Sequence, residues 1–243
     1  MIVKVIKVDD YEEMSEKACI WFMERLVHLE SPVLGLATGS TPEGLYECLI
    51  EQHKRGKISF EKATTFNLDE YVGLATDHPN SYNHYMYEKL FRHIDIQADQ
   101  AHLPNGLAKD LDKECRDYEQ LIAQVNNIDI QLLGLGVNGH IAFNEPGTSF
   151  NSRTHVIELD EATRRSNARF FDRMDQVPTQ AITMGIETIM ESKEIIMLVS
   201  GENKADALAR VINGTVTEDC PASVLQRHSD VTIIADRAAL SKA

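Results

Sequence analysis

The chain has 243 residues, enough for one α/β domain with a large core or for two small domains. Its apolar share of 43% and charged share of 26% are ordinary for a water-soluble globular protein, and no apolar run approaches the length of a membrane span. A net charge of −14 excludes nucleic acid as a partner, because nothing would offset phosphate repulsion, and requires that any phosphorylated ligand be held by a few local donors.

Met1-Ile2-Val3-Lys4-Val5-Ile6 is too short an apolar run for a signal peptide and predicts a first strand over 2–7. A helix over 10–29 follows, opened by Asp9 or Asp10, and Ser31-Pro32 ends it. Val33 to Ala37 predicts a short buried strand. Thr41 as N-cap and Pro42 at the first helical position predict a helix over 43–54. Lys62 to Leu68 predicts a third strand ending in Asp69-Glu70-Tyr71, followed by a polar loop and helices over 81–92 and 109–125. Ile128 to Leu135 is a buried strand, 154–159 another, and 160–169 a helix. Ile182 to Met190 has helical character. Ile195 to Ser200 is a strand, 203–213 a helix, 221–227 a short helix, and Val231 to Ala235 the last strand. Strands alternating with helices imply a mostly parallel sheet covered by helices on both faces. With no linker or repeat, one domain over 1–243 is expected. The four cysteines (Cys19, Cys48, Cys115, Cys220) are far apart, form no metal-ligand set, and are expected as reduced thiols in a cytoplasmic protein.

Chemistry-bearing residues gather where strands end, which is where α/β folds place ligands. After the strand ending at Leu135, Asn138, His140 and Glu145 fall within eight residues, interleaved with Gly136, Gly139 and Gly147. A histidine oriented by a glutamate is an acid/base pair suited to neutral pH. Thr38-Gly39-Ser40-Thr41 combines hydroxyls, a glycine and a helix start, the elements of an anion-binding nest, without being a Walker loop or a dinucleotide fingerprint. Of Asp69 and Glu70, either can serve as a general base and either can cap the following turn. Ser200-Gly201-Glu202-Asn203-Lys204 opens another helix with a cation, and Arg169 can supply a second, with Arg164, Arg165 and Arg173 as rivals.

The motifs Leu36-Ala37-Thr38-Gly39-Ser40-Thr41-Pro42, Phe66-Asn67-Leu68-Asp69-Glu70-Tyr71, Gly136 to Pro146 and Ser152-Arg153-Thr154 resemble, in order, those of the glucosamine-6-phosphate deaminases in their short bacterial form. The likeness continues through Asn167 to Phe171 and Ala181 to Gly185. The resemblance implies a Rossmann-like three-layer sandwich. It also implies conversion of glucosamine 6-phosphate and water to fructose 6-phosphate and ammonia, in amino-sugar catabolism and N-acetylglucosamine utilisation, without a cofactor or metal. On the matching positions Asp69 is the base that moves a proton between C2 and C1. His140, set by Glu145 and Asn138, opens the sugar ring. Thr38, Gly39, Ser40, Thr41, Arg169 and Lys204 hold the substrate, chiefly its phosphate.

Two departures bear on regulation. Many long-form members have an aspartate where this chain has Asn138, so the charge acting on His140 comes chiefly from Glu145. Long-form members are also hexamers activated by N-acetylglucosamine 6-phosphate through a basic site, where this chain has His155 and Ile157, and through a longer tail, whereas this chain stops at Ala243. A monomer or small homo-oligomer without that activation is expected. Residues 155–185 are expected to form a movable lid carrying Arg169. A 6-phosphogluconolactonase-like hydrolase, which would not need Asp69 as a carbon-proton base, is the enzyme rival. A sugar-phosphate sensor would carry a DNA-binding segment and lack the base.

Overall fold

The computed structural model describes residues 3–159, 164, 165, 168, 171 and 173–243. Its elements in chain order are β1 (Lys4–Val8), α1 (Tyr11–Leu26), β2 (Val33–Leu36), α2 (Glu43–Lys54), β3 (Thr64–Asn67), β4 (Asp69–Tyr71), α3 (Tyr82–Lys89), β5 (Ala101–His102), α4 (Leu111–Gln124) and β6 (Ile130–Leu133). After these come β7 (His155–Glu158), β8 (Gln180–Thr183), α5 (Ile186–Met190), β9 (Glu194–Val199), α6 (Ala205–Asn213) and β10 (Val231–Asp236). The helix starts have local causes. Asp10 accepts from the Glu13 N–H at 2.9 Å and opens α1, while Ser81 and Asp110 cap α3 and α4 in the same way.

Seven strands form one parallel sheet in the order β1-β10-β9-β6-β2-β3-β5. Every residue of β2, β3, β6 and β10 is buried. Successive side chains in a strand point to opposite faces, so helices cover both faces and the architecture is the expected three-layer α/β sandwich. From β2 the sheet grows through β3 to β5, and from β6 it grows the other way through β9 and β10 to β1. The boundary between β2 and β6 is therefore the topological switch point, where a crevice opens at the carboxyl ends of the strands.

A second, antiparallel sheet in the order β4-β8-β7 was not foreseen. Leu68 alone separates β3 from β4. Its N–H donates to Leu36 in the large sheet, and its carbonyl accepts from Met184 at 2.7 Å beside the small one. The chain thus changes sheets at Leu68. Asp69-Glu70-Tyr71, read as the end of the third strand, is a separate three-residue strand held by distant partners. The run Ile182 to Met190, read as helical, contains the end of β8, a turn and then α5, because a continuous apolar stretch carries neither period clearly.

Two smaller corrections concern a helix end and the thiols. Helix α2 begins at Glu43 with no side-chain cap, so Thr41 does not act as N-cap. Cys19 on α1 and Cys48 on α2 form a disulfide with their Cα atoms 6.1 Å apart, while Cys115 and Cys220 are free and buried. The packing of α1 on α2 brings that pair together, and no sequence spacing announces it. The short helix expected over 221–227 is present, as a 3-10 helix. The helix expected over 160–169 lies largely outside the described residues, as does Arg169. Of the expected lid, 155–158 and 180–183 are strands of the small sheet.

Candidate active site

Because the large sheet is parallel, the segments following β2, β3, β6 and β9 all leave from one edge, and the predicted site residues other than Arg169, which lies outside the described residues, lie on them. The Gly39 peptide after β2 has φ +97°, a left-handed conformation that glycine adopts without a steric penalty. Among the described residues nothing accepts from the N–H groups of Gly39, Ser40 and Thr41. Thr38 neighbours the Tyr82 phenol. Glu43 stands just beyond the nest, and its charge is offset by Lys89 at 2.9 Å.

Asp69 and Glu70 differ in their hydrogen bonds. Glu70 accepts from the N–H groups of Tyr71, Tyr82 and Asn83 at 2.8, 2.9 and 2.8 Å, so it seats the start of α3 on β4. Asp69 has no such duty. It is 7% exposed, and burial, reinforced by the charge of Glu70, pushes its carboxyl from 3.8 up to about 8.

After β6 the chain makes a compact loop. The Gly136 N–H donates to the His140 carbonyl at 2.9 Å, and the His140 N–H donates to Asn138 Oδ1 at 3.1 Å. Asn138 Nδ2 donates to Glu145 Oε2 at 2.6 Å, which turns Oε1 toward His140 Nδ1, 3.3 Å away though off the line of a hydrogen bond. The imidazole lies directly over Gly136, where an added Cβ would meet its ring atoms at 2.4 Å. Asn138, His140 and Glu145 are therefore brought together as expected.

Two residues that sequence reasoning missed join this loop to Asp69. The Phe143 N–H donates to Thr183 Oγ1 at 3.1 Å, and Thr183 is the register partner of Asp69. Asn144, fully buried, donates from Nδ2 to the carbonyls of Ile141 and Met184 at 3.0 and 2.8 Å. The Phe143 ring also stacks on Tyr82 at 6.2 Å between centroids, and Tyr82 packs on Tyr71 at 4.8 Å. The Phe-Asn-Glu run within the loop was the available signal, but its partners on β8 lie about forty residues on.

Lys204 ends a 3-10 turn after β9, with α6 beginning at Ala205, so the expected helix starts slightly later than read. Burial lowers its ammonium below the usual lysine range, and among the described residues no carboxylate pairs with it. Its turn is fastened by Asp236 at the end of β10, also missed, which accepts from Ser200 Oγ at 2.6 Å and the Gly201 N–H at 3.0 Å. Arg153, part of a matched motif, pairs instead with Glu119, Glu187 and Glu191 and fastens the small sheet to α4 and α5.

The profile of the family described as glucosamine-6-phosphate isomerases/6-phosphogluconolactonase matches residues 9–234. The chain belongs to this family. It is 57% identical over 238 residues to a glucosamine-6-phosphate deaminase of Oceanobacillus iheyensis, covering 98% of this chain and 95% of that protein. It is 52% identical to glucosamine-6-phosphate deaminase 1 of Bacillus subtilis, over 98% of this chain and 99% of the relative. A solved monomeric glucosamine-6-phosphate deaminase superposes with a TM-score of 0.96 at 52% identity, covering 99% of this chain and 100% of its own. The 6-phosphogluconolactonase of Trypanosoma cruzi shares the family fold, with a TM-score of 0.81 over 99% of this chain and 97% of its own, but at 23% identity.

Proposed function

We propose that this family member converts glucosamine 6-phosphate and water to fructose 6-phosphate and ammonia, using Asp69 as the carbon-proton base. The observation that carries the reading is the buried Asp69, freed from capping by Glu70 and tied through Thr183 to the histidine loop. A lactone hydrolase has no step that needs this carboxylate.

The open N–H groups of Gly39, Ser40 and Thr41, with the cation of Lys204 and with Arg169, hold the phosphate. Binding energy from that remote group fixes the sugar over the base. His140 passes a proton from the C1 hydroxyl to the ring oxygen, which opens the pyranose. Glu145 faces Nδ1 and orients the ring, leaving Nε2 to exchange the proton, while Asn138 keeps Glu145 in place. Asp69 then removes the proton from C2 and returns it at C1, and the resulting C2 imine takes up water and releases ammonia. A carboxyl raised to about 8 is a stronger base than an ordinary one, which favours abstraction from carbon.

The wider setting follows from the same reading: one domain, acting as a monomer or small homo-oligomer in the cytoplasm, within amino-sugar catabolism and N-acetylglucosamine use. No described helix is long and apolar enough to cross a membrane. The test is ammonia release from glucosamine 6-phosphate with fructose 6-phosphate followed in parallel, for wild type and Asp69→Asn. Stoichiometric products that vanish in the variant support the reading. A folded wild type that releases no ammonia overturns it and makes lactone hydrolysis the next assay.

A further inference from the structure

The nest after β2 is unusual in what becomes of its carbonyls. Tyr46 Oη, on α2, donates to the Ala37 carbonyl at 2.6 Å. Tyr85 Oη, on α3, donates to the Gly39 carbonyl at 2.6 Å, and Tyr11 Oη, on α1, donates to the Ser40 carbonyl at 2.9 Å. Tyr11 Oη also accepts from the Gly44 N–H at 2.9 Å, so one phenol joins the nest to the first turn of α2. Three carbonyls of one short loop are thus each taken by a phenol from a different helix, while among the described residues the N–H groups of Gly39, Ser40 and Thr41 are left open.

The electrostatic consequence follows from elementary chemistry. A peptide loop presents a negative carbonyl for every positive N–H, and a loop free to rotate its peptides offers an anion both. Fixing the carbonyls onto phenol donors leaves only the N–H ends for the ligand. A phenol suits this task because it carries no charge to screen the anion, and burial holds the Tyr46 and Tyr85 hydroxyls well above the usual phenol range, so they stay protonated and donate.

We propose that Tyr11 and Tyr85 are positioning residues for the phosphate group: they pin the Ser40 and Gly39 carbonyls so that the loop presents N–H groups alone to a phosphate dianion. The inference rests on the nest being the phosphate site of the proposed function, and adds to it residues on two separate helices that never touch the ligand. Tyr46 completes the frame but is fully buried, so its removal would also disturb the core.

The experiment uses the full chain with Tyr11→Phe, Tyr85→Phe and, as a control, Tyr87→Phe, whose side chain is exposed. Inorganic phosphate binding is measured by calorimetry, and KM and kcat are measured with glucosamine 6-phosphate. Each of the first two variants is expected to weaken phosphate binding and raise KM roughly three- to tenfold, the effect of releasing one pinned carbonyl, with kcat changed less than about twofold. The control should match wild type. Unfolding midpoints of the ligand-free variants, which lose one oxygen at partly exposed positions, should stay near that of wild type. Wild-type phosphate affinity in both Tyr11→Phe and Tyr85→Phe overturns the proposal, as does a fall in kcat with KM unchanged. If the wild type binds phosphate but releases no ammonia, the proposed reaction fails while weaker phosphate binding by the two variants still upholds the frame.

Discussion

Replacing Asp69 by Asn should abolish turnover and at the same time stabilise the fold, because the site holds a carboxylate where burial disfavours its charge. Burial first, and the charge of Glu70 second, move this carboxyl from 3.8 to about 8. The folded chain therefore keeps a proton that the unfolded chain releases, so between those values stability falls as pH rises. The contribution of the neutral acid is fully present below 3.8 and lost as pH passes about 8. One linked proton gives a slope of about 1.4 kcal/mol per pH unit. Asp69→Asn keeps the shape and removes the titration. Relative to wild type it should gain about 3 kcal/mol at pH 6, with a ceiling of about 6 kcal/mol above pH 8. For a chain of this length each kcal/mol raises the melting temperature by roughly 2–4 °C. Urea unfolding of both proteins between about pH 5 and about pH 8 reads the difference directly. A gap that widens with pH supports the reasoning. A gap that stays constant across the range would refute it, because the carboxyl would then titrate alike in both states.

The remaining expectations concern the rest of the edge. In the wild type, kcat/KM should rise with pH on its acid limb up to about 8, where Asp69 of the free enzyme ionises, and a profile level from pH 6 to pH 9 would contradict that assignment. Gly136→Ala places a Cβ 2.4 Å from the His140 ring, so the imidazole must move; kcat should fall roughly tenfold to a hundredfold with little change in melting temperature. Lys204→Met keeps the apolar stem and removes the cation, and should raise KM roughly tenfold or more while kcat falls less; an unchanged KM would remove Lys204 from the phosphate site. Rate curves should be hyperbolic and unmoved by N-acetylglucosamine 6-phosphate, and sigmoidal curves relieved by that sugar would sink the expectation drawn from His155 and Ile157.

Much of this was legible before any folding was considered. The alternation of apolar runs with capped helices marked most elements, since burial and capping act on residues close in sequence. Asp10, Ser81 and Asp110 accept from N–H groups three residues on, within reach of any local reading. The Asn138–His140–Glu145 cluster was equally local, spanning one loop whose own hydrogen bonds assemble it.

What tertiary structure alone decided involves partners far apart in the chain. The division of labour between Asp69 and Glu70 depends on Glu70 reaching the start of α3, and the burial that tunes Asp69 depends on β4 pairing with β8. Thr183, Asn144 and Asp236 carry no local mark of these roles, because each bonds to groups that lie 35 to 40 residues away. The same is true of the Cys19–Cys48 bridge and of the phenols of Tyr11 and Tyr85, which meet the nest from separate helices. The sequence by itself therefore determined most of the strands and helices and the reactive loops, through short-range periodicity and capping. The order of strands in the sheet, set by long-range burial, decided that the nest and the histidine loop leave adjacent strands at the switch point, with Asp69 where the chain passes between its two sheets.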